Sequence, residues 1–198
     1  MSPRVGRILH EAGRLSRGAG AVNALRICTI GHSTRTVAEL VSLLREFGCD
    51  LLVDIRTVPR SRTNPQFNAD SLPDALAADG IGYRHIAQLG GLRGRRRGET
   101  ASPNTFWEND SFRNYADHAM TPAFREGLAE LRDLAARHAC AIMCAEAVWW
   151  RCHRRIVADY LLAAGDTVLH IMGPGRIEPA RITQAATRSP DGSLCYPQ

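Results

Sequence analysis

The chain contains no lysine; all 25 of its basic residues are arginine. This absence excludes three kinds of machinery, namely a Schiff-base lysine, the lysine of a phosphate-binding P-loop and a Ser–Lys pair. An anion bound by this protein must therefore be held by planar guanidinium groups or by backbone amides.

Long apolar runs are missing as well. None approaches the roughly 18 residues that a membrane-spanning helix requires. The first 24 residues hold four arginines and one glutamate but lack the apolar block of a signal peptide. We therefore expect a flexible basic arm over residues 1–24, a cytoplasmic protein with no membrane partner, and six cysteines that are reduced thiols.

The length and composition predict one domain with a full hydrophobic core. The chain has 198 residues, of which 44% are apolar and 23% are charged. Runs that are mostly apolar rather than alternating, which predict the strands of a sheet covered on both faces, occur at residues 26–30, 50–55, 81–86, 139–144 and 167–171.

Amphipathic segments alternate with these runs and predict helices. Thr36 and Glu39 form a capping box before the first helix, and Thr121 followed by Pro122 opens a later one. The alternation predicts an α/β fold, a three-layer, mostly parallel, doubly wound, Rossmann-like sheet with helices on both faces. We expect a single α/β domain over residues 25–173 and an irregular C-terminal tail over residues 174–198.

The densest chemistry lies in residues 144–155, between a predicted strand and a predicted helix. In an open α/β sheet, ligands bind where strands end. A helix N-terminus and nearby arginines lower the pKa of a thiol, and a glutamate is a candidate general acid or base. The candidate catalytic residues are Cys144, Glu146, Cys152 and His153.

Three other polar groups follow predicted strands, so all of them could converge at one edge of a parallel sheet. The segment Gly31-His32-Ser33 precedes a helix whose amides could hold an anion. Asp54 and Arg56 point the same way on an extended chain. The candidate substrate-binding residues are Gly31, His32, Ser33, Asp54, Arg56, His85 and Arg154.

Structural roles compete with each of these interpretations, and the chemistry of the cysteines stays open. Seven residues separate Cys144 from Cys152, which matches neither the close pairs of structural zinc nor the two-residue redox motif. We therefore assign no metal ligands. A metal site that adds a distant His32 or His85, and a disulfide between the two cysteines, remain alternatives.

A basic loop indicates nucleic acid as a second possible partner. The chain has a net charge of +5, and Arg93, Arg95, Arg96 and Arg97 could contact the phosphates of a nucleic acid. No helix-turn-helix or other base-reading motif accompanies them.

Several short motifs occur together and in order over roughly residues 26–172. They are Thr29-Ile30-Gly31-His32-Ser33, Asp54-Ile55-Arg56 with Pro59, Ser61, Asn64-Pro65 and Phe67, Leu89-Gly90-Gly91, and Cys144-Ala145-Glu146 followed by Cys152-His153-Arg154. In these motifs the chain resembles the family catalogued as domain of unknown function 488. The resemblance implies an α/β domain and supplies neither a reaction nor a cofactor.

The combined observations predict an enzyme for an anionic small molecule, such as a nucleotide, a nucleic-acid base or another phosphate-bearing substrate. Arg56 and Arg154 would hold the anion, and Asp54 would orient the substrate. Cys152 or Cys144 would be the nucleophile, with Glu146 and His153 as proton carriers. Two alternatives stay open: a non-catalytic nucleic-acid-binding module, and a metal or thiol redox sensor that uses Cys144 and Cys152.

Overall fold

The computed structural model describes residues 24–94 and 101–198. Within these residues, the main sheet has six strands in the order β3-β2-β4-β1-β5-β6. Their bounds are β1 (Arg26–Gly31), β2 (Leu51–Asp54), β3 (Gly82–His85), β4 (Cys140–Cys144), β5 (Thr167–Gly173) and β6 (Arg176–Pro179). The pairs among β1 to β5 are parallel, and β6 runs antiparallel to β5.

Helices cover both faces of this sheet. They are α1 (Val37–Glu46), α2 (Leu72–Ala77), α3 (Asp110–Ala119), α4 (Pro122–Ala135) and α5 (Arg154–Ala163). Leu40 of α1 and Leu72 of α2 belong to one hydrophobic cluster with Cys28 of β1. Ile156 of α5 belongs to a second cluster with Ile27, the neighbouring residue of β1. Successive strand residues thus pack on opposite faces, and the predicted three-layer, mostly parallel α/β fold is confirmed.

Local capping sets where the helices begin. The Thr36 hydroxyl accepts a hydrogen bond from the Glu39 amide at 3.2 Å, and the Glu39 carboxylate accepts one from the Thr36 amide at 2.6 Å. The Thr121 hydroxyl accepts from the Phe124 amide at 3.3 Å. Both predicted caps are confirmed, and α1 begins six residues after β1 ends.

The connections of the two central strands diverge. The chain leaves β1 through α1 toward β2, and it leaves β4 through α5 toward β5, on the opposite face of the sheet. Because β1 and β4 are neighbours, their carboxyl ends form a topological switch point, where a crevice opens in folds of this kind.

The residues predicted as an irregular C-terminal tail are more ordered than that prediction states. They contain β6 and a small hairpin of β7 (Thr187–Arg188) and β8 (Leu194–Cys195). Tyr196 is fully buried in the core, and its hydroxyl donates to Asp159 Oδ2 at 3.1 Å. The segments are too short for periodicity to reveal them.

The predicted domain boundary at residue 173 stays a prediction, and the predicted basic arm lies outside the described residues except for Ala24.

None of the helices in residues 24–94 and 101–198 combines the length and the apolar character that crossing a bilayer would require.

The burial of Tyr196 makes a prediction about the C-terminal segment. Tyr196→Ala should lower the free energy of unfolding by about 3–5 kcal/mol, because it removes a fully buried ring. Urea denaturation measures this loss. Gln198→Ala, which changes an exposed side chain two residues away, is the control and should unfold like the unsubstituted protein. Equal unfolding midpoints for both variants would contradict the role of this segment.

Candidate functional site

A cavity of about 570 Å³ opens at the carboxyl ends of β1, β2 and β4. The buried residues Cys144 and Cys152, together with His153 and Tyr115, form its floor. Exposed residues surround its mouth, among them Leu92, whose exposed fraction is 78%. The loops that follow three strands therefore meet around one hollow.

Seven of the sequence-predicted site residues line this cavity. They are His32, Ser33, Arg56, Cys144, Glu146, Cys152 and His153. The other four, Gly31, Asp54, His85 and Arg154, are not part of its lining. The structure thus divides the predicted residues into those that face the hollow and those that lie behind it.

Cys144, Cys152 and His153 form a sulfur–imidazole centre. His153 Nδ1 lies 3.7 Å from Cys144 Sγ and 3.6 Å from Cys152 Sγ, and the three atoms all lie within 4.8 Å of one another. His153 Nε2 lies 2.9 Å from the Ile55 carbonyl oxygen. Because a carbonyl only accepts, Nε2 carries the proton, and a neutral ring directs the lone pair of Nδ1 toward the two sulfur atoms.

Gly91 allows the His153 ring to occupy this place. A Cβ atom at Gly91 would lie 2.3 Å from His153 Nδ1, 2.7 Å from Cγ and 2.8 Å from Cε1. These three distances put the Cβ over the face of the ring, so that the in-plane lone pair of Nδ1 is left free. Only a residue without a side chain can lie there.

The two thiols are electrostatically unequal. Cys152 Sγ accepts hydrogen bonds from the Arg154 amide at 3.4 Å and from Arg154 Nε at 3.3 Å. Burial alone would raise the pKa of the Cys152 thiol, but the hydrogen bond from Cys144 and the nearby Arg154 guanidinium hold it well below its ordinary range. The interaction with Cys152 and burial raise the pKa of Cys144 well above its ordinary value.

Arg154 is a buried cation, with 1% of its surface exposed. Its Nη2 donates to the Glu146 carbonyl oxygen at 2.6 Å, and its Nε donates to Cys152. None of the ion pairs between described residues includes Arg154. A buried charge needs a counter-charge or several acceptors, so the sulfur of Cys152 is the natural place for negative charge.

Asp54 and Arg56 form a buried ion pair behind the cavity. Arg56 Nε lies 2.9 Å from Asp54 Oδ1, and Arg56 Nη2 lies 2.5 Å from Oδ2. The Tyr83 hydroxyl donates to the same carboxylate at 2.8 Å. Asp54 thus orients Arg56, and most of the guanidinium donors that could bind a substrate are already used.

His32 lies against the remaining part of this guanidinium. Its Nδ1 lies 2.9 Å from the Ser33 carbonyl oxygen, and its Nε2 lies 3.4 Å from Arg56 Nη1. The ring stacks on Phe67 with a centroid separation of 4.2 Å. Burial, with the nearby Arg56 charge, lowers the pKa of His32, so the ring is a neutral acceptor for Arg56.

The backbone amides of His32 and Ser33 do not form the predicted anion cradle. They donate to the carbonyl oxygens of Cys144 at 3.0 Å and Ala145 at 2.9 Å, and so extend the pairing of β1 with β4. The first turn of α1 lies further along the chain and is capped by Thr36. The segment contributes the His32 and Ser33 side chains to the cavity instead.

The other two predicted histidines, His32 and His85, lie outside the sulfur–imidazole centre. His85 Nε2 lies 2.7 Å from the Arg56 carbonyl oxygen and supports the backbone of that residue. Neither His85 nor His32 joins the potential metal-binding group found among the described residues, which consists of Cys144, Cys152 and His153.

Several lining residues escape sequence analysis. Tyr115 of α3 donates its hydroxyl to the Leu89 carbonyl oxygen at 2.7 Å, and its ring lies 4.9 Å from the His153 ring. Burial raises its pKa well above the ordinary value, so it stays a neutral phenol. Arg60 also lines the cavity, together with Arg151, which belongs to the segment 144–155 that the sequence marks. No spacing in the sequence marks Tyr115 or Arg60, because only the folded chain brings them to this edge.

The basic loop is described only in part. The Arg93 guanidinium folds back on its own loop and donates to the carbonyl oxygens of Gly90 and Ala87, each at 2.9 Å. The other arginines predicted to contact nucleic acid, Arg95, Arg96 and Arg97, lie outside the described residues.

Comparison with known proteins shows one family. A model of the family described as Domain of unknown function DUF488 matches residues 36–161, which is more than half of the chain. The UPF0276 protein of Caulobacter sp. (strain K31) is 40% identical over 60 residues, which are 30% of this chain. The match spans only 22% of that relative. No solved structure matches the chain.

The contact between β1 and the loop after β4 makes a prediction. A Cβ at Gly31 would lie 1.9 Å from the Glu146 carbonyl oxygen, and backbone cannot move aside like a flexible side chain. Gly31→Ala should therefore lower the free energy of unfolding by about 1–3 kcal/mol. Chemical denaturation measures the effect. Gly173→Ala, where a Cβ meets nothing within 4 Å, should have a much smaller effect, and equal losses in the two variants would refute the argument.

Proposed function

The chain belongs to the DUF488 family, and we propose that it is an enzyme for an anionic, phosphate-bearing substrate that enters the cavity at the strand ends. One observation carries the proposal: a single hollow has the sulfur–imidazole centre at its floor and exposed arginine side chains at its mouth. Chemically able groups and an electrostatic attraction for anions thus occur in the same place.

The charges that line the cavity favour an anion. Three arginines and one glutamate line it, and one of these arginines, Arg56, is neutralised by Asp54. Arg60 has a loose and exposed contact with Asp70 at 3.6 Å, which is worth little in water. Arg151 is exposed and belongs to none of the ion pairs between described residues. Two guanidinium groups therefore face one carboxylate, that of Glu146.

The apolar residues of the lining indicate what the uncharged part of the substrate is like. Val58 is 59% exposed and Leu92 is 78% exposed, and both lie in the lining together with Phe112. An apolar rim beside two cations suits a molecule with a planar or apolar part and a charged part. A nucleotide has both parts, and this is the substrate class that we propose.

We assign the chemical step of the proposed enzyme to residues at the floor of the cavity. The sulfur–imidazole centre lies there, and the exposed Glu146 side chain lines the same cavity as a candidate proton carrier. The nucleophile roles of Cys144 and Cys152, and the proton-carrying role of His153, stay predictions. Arg154 supports the centre through Cys152 and the Glu146 carbonyl rather than lining the cavity.

The proposal predicts a charge-dependent binding site. In calorimetric titrations, AMP should bind more tightly than either adenosine or inorganic phosphate, because only AMP has both a base and a charge. Arg151→Ala should weaken AMP binding by about tenfold or more, since a hydrogen bond to a charged group contributes about 1.5–3 kcal/mol. Arg176→Ala, which removes an arginine of the edge strand β6, is the matched control and should bind AMP normally.

Two outcomes would contradict the proposal. Equal affinities for AMP and adenosine would show that the phosphate charge does not contribute to binding. An unchanged AMP affinity in Arg151→Ala would show that Arg151 does not bind the phosphate. A single-stranded oligonucleotide that binds with steep salt dependence, unaffected by Arg151→Ala, would favour the nucleic-acid-binding module instead.

A further inference from the structure

We propose that Cys144, Cys152 and His153 bind one Zn²⁺ ion, whose fourth coordination position opens into the cavity. The proposal concerns the same centre as the proposed function and goes beyond it, because it holds whether or not the substrate is an anion. It assigns to these residues a ligand role in place of the nucleophile and proton-carrier roles predicted for them.

The two N···S separations within the centre are close to those of a tetrahedral zinc site. Zinc lies about 2.3 Å from a thiolate sulfur and about 2.0–2.1 Å from an imidazole nitrogen, so tetrahedral angles give an N···S separation of about 3.5–3.6 Å. The His153 Nδ1 atom lies 3.7 Å from one sulfur and 3.6 Å from the other. The two separations are nearly equal, as a metal ion bound to all three atoms requires.

The surroundings orient each ligand. The His153 Nε2–H···O contact with Ile55 holds the ring in the tautomer that leaves Nδ1 free for a metal, an arrangement typical of metal-binding histidines. Gly91 lies on the face of the ring and leaves its plane open. The amide and Nε of Arg154 donate to Cys152 Sγ, as N–H groups do around metal-bound thiolates.

The ligand types select the metal and the kind of site. Two sulfurs and an imidazole suit zinc and other thiophilic ions, and they disfavour Mg²⁺ and Ca²⁺, which prefer oxygen. Two thiolates balance the charge of Zn²⁺. Three protein ligands leave one position for a water molecule or a substrate, as in catalytic zinc sites. The centre forms the floor of the cavity, so this position is accessible.

Metal analysis of the full chain tests the proposal. Protein purified without chelator, or stripped and reloaded with Zn²⁺, should hold about one zinc ion per chain. Cys144→Ser, Cys152→Ser and His153→Gln should each lose it. Cys195→Ser, which changes a cysteine of β8 outside the centre, is the control and should keep it. Co²⁺ loaded in place of zinc should show thiolate charge-transfer absorption in the unsubstituted protein and in this control.

A pair of glycine variants tests the centre without changing any ligand. Gly91→Ala places a Cβ on the His153 ring, so it should weaken zinc binding by about 10- to 100-fold, the effect typical of changes around a metal site. Gly94→Ala lies three residues away in the same loop, where a Cβ meets nothing within 4 Å. It should bind zinc like the unsubstituted protein, and equal affinities for the two variants would contradict the proposed geometry.

Alkylation of the unsubstituted protein keeps the proposal testable if the cysteine variants fail to fold. Zn²⁺ should protect Cys144 and Cys152 from iodoacetamide and leave the reaction of Cys195 unchanged, as peptide mass spectrometry would show. Zinc far below one ion per chain, with equal alkylation of both cysteines in its presence and absence, would overturn the proposal.

AMP titrations separate the two hypotheses: a protein that binds AMP but no zinc refutes only the metal site, and one that binds zinc but no anion refutes only the proposed function.

Discussion

The close contact between the carboxyl ends of β1 and β4 is the constraint on which the rest of the site depends. Gly31 has no side chain, so the Glu146 carbonyl can approach its backbone, and the amides of His32 and Ser33 pair with the chain that leaves β4. This pairing brings the loop after Cys144 back over the end of β1. The cavity lies at this switch point because the two chains then leave for opposite faces of the sheet.

Two buried arginines stabilise this arrangement in different ways. Arg56 has a full counter-charge in Asp54, so the pair acts as a rigid support behind His32. Arg154 has no carboxylate partner among the described residues and donates instead to Cys152 and to the Glu146 carbonyl. Removing a partner from a buried charge is costly, so both guanidinium groups hold their surroundings in one conformation. The second one also concentrates negative charge on sulfur, which suits a metal-bound thiolate.

Much of the fold is predictable because it follows from local rules. A strand buried on both faces must be apolar throughout, and a helix that begins at Thr36 or Thr121 shows its cap in the sequence. The carboxyl ends of the strands meet at one edge because the sheet is parallel, whereas the pairing of Cys144 with Gly31 depends on the strand order. The C-terminal strands and the burial of Tyr196 escape prediction, because two-residue strands have no periodicity and a lone tyrosine does not reveal its partner.

The sequence by itself determined the layer architecture, the helix starts and the edge of the sheet at which the polar motifs collect. Only the tertiary structure decided which of those motif residues face the hollow. Asp54 lies behind Arg56, the amides after Gly31 pair with β4, and Tyr115 of α3 reaches His153. The physical reason is that hydrophobic period and capping are properties of neighbouring residues. A hydrogen bond between His153 and Ile55, by contrast, joins groups 98 positions apart and exists only after the sheet has formed.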